Sequence, residues 1–229
     1  MNVAVIPARG GSKRIFRKNI KVFCGKPIIA YSIQAALESG CFDSVIVSTD
    51  DSEIACIARD FGADTPFLRP AEISDDHSTT IDVMCHSIEW LEEQGSALDA
   101  ICCIYATAPF ITPGELRSSY QKLVIEDVDF VFSATEFPFP VQRALQLSES
   151  GEVSMLYPEH ELTRSQDLPV AYHDAGQFYW GKKSAFVKRK SIFGKHSRIE
   201  LLPPTRVRDI DTPEDWEFAE ALFKVLGRI

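Results

Sequence analysis

Six basic residues, Arg9, Lys13, Arg14, Arg17, Lys18 and Lys21, crowd residues 9–21 with no acid among them, in a chain of net charge −9. Gly10 and Gly11 open this stretch, with Ser12 next to them. Paired glycines let backbone N–H groups approach an anion, and lysine and arginine bring charge to phosphate oxygens. The chemistry suggested is a cradle for a nucleoside triphosphate; a solvated basic loop is the plainer alternative. Neither the P-loop pattern G-x-x-x-x-G-K-[ST] nor the dinucleotide fingerprint G-x-G-x-x-G occurs here.

A second group is Asp209-Ile210-Asp211. If residues 207–211 are extended, both carboxylates project from one face. Two carboxylates held together are unfavourable without a cation between them, and a hard divalent cation takes oxygen ligands. The alternative is that Asp211 complements the dipole of the following helix while Asp209 is exposed.

These residues need positioning elements. Val3 to Ala8 is an apolar run typical of a strand buried on both faces of a parallel sheet, and its carboxyl end delivers the basic loop to where ligands of open α/β sheets bind. Pro27 suits the first position of a helix carrying Ile29, Ile33, Ala36 and Leu37, stopped at Gly40. Ser44 to Thr49 reads as a strand, and Asp50 and Asp51 precede a helix ending at Gly62, with capping as their simplest role. Phe67 to Pro70 reads as a short strand, and a polar string from Ser74 to Thr80 leads into a helix ending at Gly95. A strand at Ala100 to Tyr105, a helix capped by Thr112-Pro113-Gly114-Glu115 and a strand at Asp129 to Ala134 follow. Strict alternation predicts a doubly wound, mostly parallel Rossmann-like α/β sheet.

Glu136 to Tyr172 interrupts the pattern. Phe137-Pro138-Phe139-Pro140 suits neither a central strand nor a helix, and Ala144–Leu147 with Val153–Leu156 reads as a hairpin. This is an arm inserted in a single domain, 1–229, and its Phe137, Phe139, Val141, Leu145 and Leu147 ask for a partner surface. Gln177 to Trp180 and Arg198 to Leu202 resume strands, and Thr212-Pro213-Glu214-Asp215 caps a last helix with Trp216, Phe218, Ala219, Leu222 and Phe223 on its apolar side.

Composition excludes several classes. No run approaches the ~18 apolar residues of a membrane span, the chain enters a strand with no secretory leader, and no basic face with interleaved aromatics suggests nucleic acid. Six cysteines without C-x-x-C spacing read as reduced, mostly buried thiols of a cytoplasmic protein. His77 and His86 lack ligand-spaced partners and read as non-metal histidines.

Ala8-Arg9-Gly10-Gly11-Ser12-Lys13 with Lys18-Asn19 resembles the signature of the CMP-sialic acid synthetases, cytidylyltransferases that activate nonulosonic acids. Arg69-Pro70-Ala71-Glu72-Ile73 matches a further stretch that lies near the nucleotide in that family; Phe16 departs, standing where proline or glycine is usual. The strings 103–110, 163–168 and 172–181 resemble the branch acting on pseudaminic acid, whereas neuraminate enzymes usually carry glutamine-proline where Tyr105-Ala106 stand. The resemblance implies attack of the sugar's anomeric hydroxyl on the α-phosphorus of CTP, with neuraminic or legionaminic acid as alternative sugars and a non-catalytic nucleotide-binding relative as the rival of another class. It implies that Arg9 and Lys13 hold pyrophosphate, that Lys18 meets the α-phosphate, and that Ser12 and Asn19 orient the nucleotide. Asp209 and Asp211 then bind Mg²⁺, and Thr107, Arg164, Gln166, His173, Asp174 and Gln177 are candidates for the pocket of the nine-carbon 2-keto sugar acid. It also implies a homodimer in which the arm reaches the neighbouring subunit, with Arg164 serving that subunit's site.

Overall fold

In a computed structural model that describes residues 1–75 and 78–227, the opening apolar run forms β1 (Asn2–Pro7). Val3 and Val5 enter one apolar cluster, and Ala4 and Ile6 enter another, because successive strand side chains leave by opposite faces. Helices therefore cover the sheet on both sides. A small antiparallel ribbon follows, β2 (Val22–Phe23) with β3 (Lys26–Pro27). Cys24 and Gly25 close it with φ of 42° and 98°, the double positive φ of a tight hairpin turn. Pro27 thus ends a ribbon instead of starting a helix, and α1 (Ile29–Ser39) begins after it. Proline fits there because a ribbon edge tolerates a missing N–H.

β4 (Ser44–Ser48) pairs parallel to β1 and leads into α2 (Ser52–Asp60). The strand expected at Phe67–Pro70 is reduced to a single bridge, Thr49 to Leu68. It runs along the outer edge of β4, where Pro70 has no N–H to extend a ladder. α3 (Thr80–Glu93), β5 (Ala100–Ile104), α4 (Pro113–Ile125) and β6 (Phe130–Glu136) follow in the expected order. Both α3 and α4 start with reciprocal capping boxes, Thr79 with Asp82 and Thr112 with Glu115.

Beyond β6 the chain makes its excursion, with a ribbon of β7 (Leu145–Leu147) and β8 (Val153–Met155). It returns as β9 (Tyr172–Lys182), longer than expected and antiparallel to both β5 and β6. α5 (Lys183–Val187), β10 (Ser197–Leu201) and α6 (Pro213–Val225) complete the chain. The sheet order is β10-β6-β9-β5-β1-β4, so the doubly wound sheet stands, with β9 as its antiparallel member. α6 packs Trp216, Ala219 and Phe223 against Phe23, Ile28, Phe110 and Ile210. Phe218, expected on that apolar side, is exposed instead and lies beneath the Arg208 guanidinium at 4.3 Å.

All six cysteines are free thiols, but only Cys102 and Cys103 are buried and Cys56 is exposed, which corrects the expectation of mostly buried sulfur. Burial pushes the Cys102 and Cys103 thiols up, so they stay protonated. Among the described residues no helix is long and apolar enough to cross a membrane. From β1 the chain turns to β4 on one side and to β5 on the other. The crevice at the carboxyl ends of these strands is a topological switch point.

Candidate active site

A cleft of about 300 Å³ opens at that crevice, and the loops after β1 and β5 line it. Of the residues picked from sequence, Arg9, Ser12, Lys13, Lys18, Asn19, Arg69, Thr107 and Asp211 share its wall. Arg14 and Asp75 also line it, so five cations face two carboxylates. Arg69 is 6% exposed, and its guanidinium donates to Ser74 Oγ at 3.1 Å. Burial pushes its pKa down and Arg9 adds to this, while Asp50 opposes; an arginine so placed still carries its charge at neutral pH.

The acids after β4 hold the basic loop. Gly10 donates its N–H to Asp50 Oδ1 at 2.9 Å, so this amide is aimed at a side chain of the protein, where the sequence suggested phosphate. A Cβ on Gly10 would stand 2.7 Å from Asp51 Oδ2, so any larger residue there would have to displace the Asp51 carboxylate. Gly11 has open space around its Cα, and Ala8 is buried with its N–H on the Ser48 carbonyl at 2.9 Å. Asp51 caps α2 through Oδ1, accepting from Glu53 N at 2.8 Å and Ile54 N at 3.1 Å. Burial raises its pKa, yet these amides and the Arg17 guanidinium outweigh it and hold the carboxyl below its usual range. Arg17 has a left-handed φ of 50° and starts the 3₁₀ turn Lys18–Ile20. Asn19 is buried and donates Nδ2 to the Arg9 carbonyl at 2.9 Å, so its amide nitrogen braces the loop. Phe16 is 82% exposed at the loop's tip.

Lys18 crosses to the far end of the chain, donating Nζ to the Ile210 carbonyl at 2.7 Å and to Asp211 Oδ1 at 3.2 Å. Arg14 meets the same Oδ1 at 2.8 Å. Ile210 is buried between an exposed Asp209 and a half-buried Asp211, the alternation of extended backbone. Thr212, and not Asp211, caps α6, and Asp215 completes that box. Among the described residues no three His, Cys, Asp or Glu form a ready metal cage. Asp211 lines the cleft and Asp209 does not; in chemistry their oxygens suit a hard cation that takes its other ligands from phosphate and water, as Mg²⁺ commonly does.

A second chamber of about 270 Å³ adjoins the cleft, sharing Thr80 and Tyr105 with it. Asp174, Tyr179, Ile192 and Phe193 also wall it. Tyr179 donates its hydroxyl to Asp174 Oδ2 at 2.5 Å, and the Tyr105 and Thr80 hydroxyls meet at 3.1 Å. Burial pushes both phenols up, so both remain protonated donors at neutral pH. The other sugar-pocket candidates lie elsewhere. His173 packs edge-on to Phe137, with ring centroids 4.8 Å apart. Gln177 is buried and donates Nε2 to the Arg206 carbonyl at 2.6 Å, bracing the stretch that leads to Asp209 and Asp211. Arg164 and Gln166 are exposed in the excursion, Arg164 paired with Asp167 at 2.7 Å. His86 packs edge-on to Phe67 at 4.8 Å, and His77 lies outside the described residues. The sequence counts Arg14 among the loop cations without giving it a role of its own. It does not single out Asp75, in the polar string from Ser74 to Thr80, or Tyr179, in the string 172–181, as site residues.

The switch-point crevice and its cationic wall suit a polyanionic ligand. The chain belongs to the cytidylyltransferase family, whose profile matches residues 3–225. It is 48% identical over 224 residues to the pseudaminic acid cytidylyltransferase of Campylobacter jejuni serotype O:2, covering 98% of this chain and 97% of that one. It is 30% identical to the CMP-N,N'-diacetyllegionaminic acid synthase of Legionella pneumophila, covering 97% and 96%. A solved CMP:2-keto-3-deoxy-manno-octonic acid synthetase complexed with CTP shares the fold, with a TM-score of 0.70 and 18% identity over 98% of this chain and 99% of that one.

Proposed function

We propose that this enzyme transfers the cytidylyl group of CTP to the anomeric hydroxyl of a nonulosonic acid, pseudaminic acid, and releases pyrophosphate. The observation that carries this reading is the cleft where Arg9, Lys13, Arg14, Lys18 and Arg69 converge at the switch point. Transfer at phosphorus rests on positioning and charge neutralisation, with little covalent work for the protein. Arg9 and Lys13 hold the leaving pyrophosphate, and Lys18 neutralises the α-phosphate. Lys18 and Arg14 release Asp211 when phosphate oxygens replace it as their partner. Asp211 and Asp209 would hold Mg²⁺, which when bound would neutralise phosphate charge and lower the pKa of the attacking hydroxyl.

The second chamber, next to the cleft, is the place for the sugar's substituents, with Asp174 as acceptor and Tyr105 as wall. Tyr105 supports selectivity for pseudaminic acid. The exposed apolar residues of 137–172 support a homodimer, in which Arg164 serves the neighbouring subunit's site. Free thiols throughout support a cytoplasmic enzyme. The test is CTP with a panel of pseudaminic, legionaminic and N-acetylneuraminic acids, read as pyrophosphate. Release with none of them rejects cytidylyl transfer, and equal kcat/KM for all three rejects the sugar assignment.

A further inference from the structure

The loop's cations have two destinations. Lys18 lines the cleft, whereas Arg17, its immediate neighbour, points at the acids that follow β4. Arg17 Nη1 lies 3.2 Å from Asp51 Oδ2, and its Nη2 lies 3.2 Å from Asp51 Oδ1 and 2.8 Å from Glu53 Oε2. The Arg17 side chain is 28% exposed and that of Asp51 20%, so this pair is shielded more than a surface pair. A left-handed backbone on arginine persists only where its surroundings enforce it. Here that conformation sits one peptide before Lys18 and sets the direction in which the next side chain leaves the loop. The same carboxylate lies against the loop's other end, since a Cβ on Gly10 would collide with Asp51 Oδ2.

We propose that Asp51 is a positioning residue for catalysis: by clamping Arg17 in its left-handed turn, it aims Lys18 into the cleft. This rests on the reading of Lys18 as the group that meets the α-phosphate. Capping alone would need only one side-chain oxygen on the first amides of α2, which asparagine supplies equally well. Neither the second oxygen facing Arg17 nor the left-handed turn is needed for a cap. Freed from the carboxylate, residue 17 relaxes to negative φ, and Lys18 swings with the peptide between them. A misplacement of about an ångström at a reacting group costs on the order of 10²-fold in rate.

The test compares Asp51→Asn, Lys18→Ala, their double variant and Arg17→Ala with wild type, measuring melting temperature, KM for CTP and kcat for pyrophosphate release. Asp51→Asn stays folded with a modestly lower melting temperature, because a carboxyl held below its usual range contributes stability, and keeps its KM while kcat falls on the order of 10²-fold. In the Lys18→Ala background the same substitution changes kcat no further, because the residue through which it acts is gone. Arg17→Ala leaves the cap on α2 untouched and lowers kcat to the same degree, which keeps the test decisive if Asp51→Asn fails to fold. Wild-type kcat in Asp51→Asn or in Arg17→Ala overturns the proposal. So does a loss in the double variant equal to the product of the two single losses. A wild-type protein that releases no pyrophosphate, or a Lys18→Ala variant with full kcat, overturns instead the reading on which the proposal rests.

Discussion

Two excursions leave the carboxyl ends of the sheet, one after β1 and one after β6, and each contains a short antiparallel ribbon. The first is fastened to the body at many points. Phe23 is fully buried, with Tyr31, Trp216 and Phe223 edge-on to it at 5.7, 5.4 and 5.4 Å. Cys24 donates its N–H to Glu220 at 3.2 Å, and Lys18 reaches Asp211. The second excursion has hydrogen bonds among its own residues, such as Leu156 N to the Ala144 carbonyl at 3.0 Å and Arg143 to the Glu161 carbonyl at 3.1 Å. Leu168 is buried and Phe137 and Val141 are half-buried, but the ribbon's apolar side chains face outward, with Leu145 64%, Leu147 70% and Val153 64% exposed. An isolated ribbon is marginal in water until one face is covered. The first ribbon has its cover within the chain, and the second leaves its apolar side chains exposed.

The largest expected effect lies beside the first excursion. Asp211→Asn keeps the shape of the side chain and removes the charge opposite Lys18 and Arg14. We expect kcat to fall at least 10²–10³-fold, as when a group that stabilises transition-state charge is lost. The melting temperature should move little, and excess chelator should abolish wild-type turnover. If Asp211 only complements the helix dipole, the cost is about 0.3–1 kcal/mol of stability with turnover intact.

Phe23→Ala should cost about 3–5 kcal/mol of folding stability, because a large buried ring leaves a cavity among aromatic neighbours. Thermal melts at several protein concentrations check this, and the loss should be the same at each. On the second excursion, Leu145→Lys with Leu147→Lys should convert a dimer to a monomer by light scattering at micromolar concentration, a loss of about 2 kcal/mol or more of association energy. A dimer that survives both lysines removes the contrast between the excursions. Mixing Lys18→Ala and Arg164→Ala chains sharpens it: turnover that neither has alone returns if one excursion acts within its own chain and the other on its neighbour.

The smallest effect concerns Asp82, in the box that starts α3 beside the cleft. The Thr79 hydroxyl and the Arg189 guanidinium hold its carboxyl down to about 2. A folded-state value below the unfolded one contributes stability that is complete above about pH 4 and disappears as pH falls through about 2. Since the side chain is 28% exposed, screening limits this to roughly 1 kcal/mol or less. Asp82→Asn should flatten the acid side of the stability profile between those values and leave neutral turnover alone; an unchanged acid profile would rule the pair out as its source.

Much of this molecule could be read in the chain. Alternating apolar runs and capping boxes specify strands and helices locally, so the doubly wound sheet, the helix starts at Thr112 and Thr212 and the position of the second excursion were all legible. The cationic wall was legible too, because one short loop carries most of it. What sequence could not reveal was the destination of each charge. Gly10 and Arg17 looked free for phosphate, yet the amide of one meets Asp50 and the guanidinium of the other meets Asp51. Gln177 looked like a sugar ligand, yet its amide holds the Arg206 carbonyl. Pro27 looked like the start of a helix until the ribbon claimed it. Pro27 aside, whose partner is the nearby Val22, such choices depend on contacts between residues tens to nearly two hundred positions apart, as with Lys18 and Asp211. Composition and periodicity determine what kind of element each stretch becomes, because those preferences act over a few neighbouring residues. Which carboxylate a given cation meets is decided only when the sheet brings distant loops to one crevice.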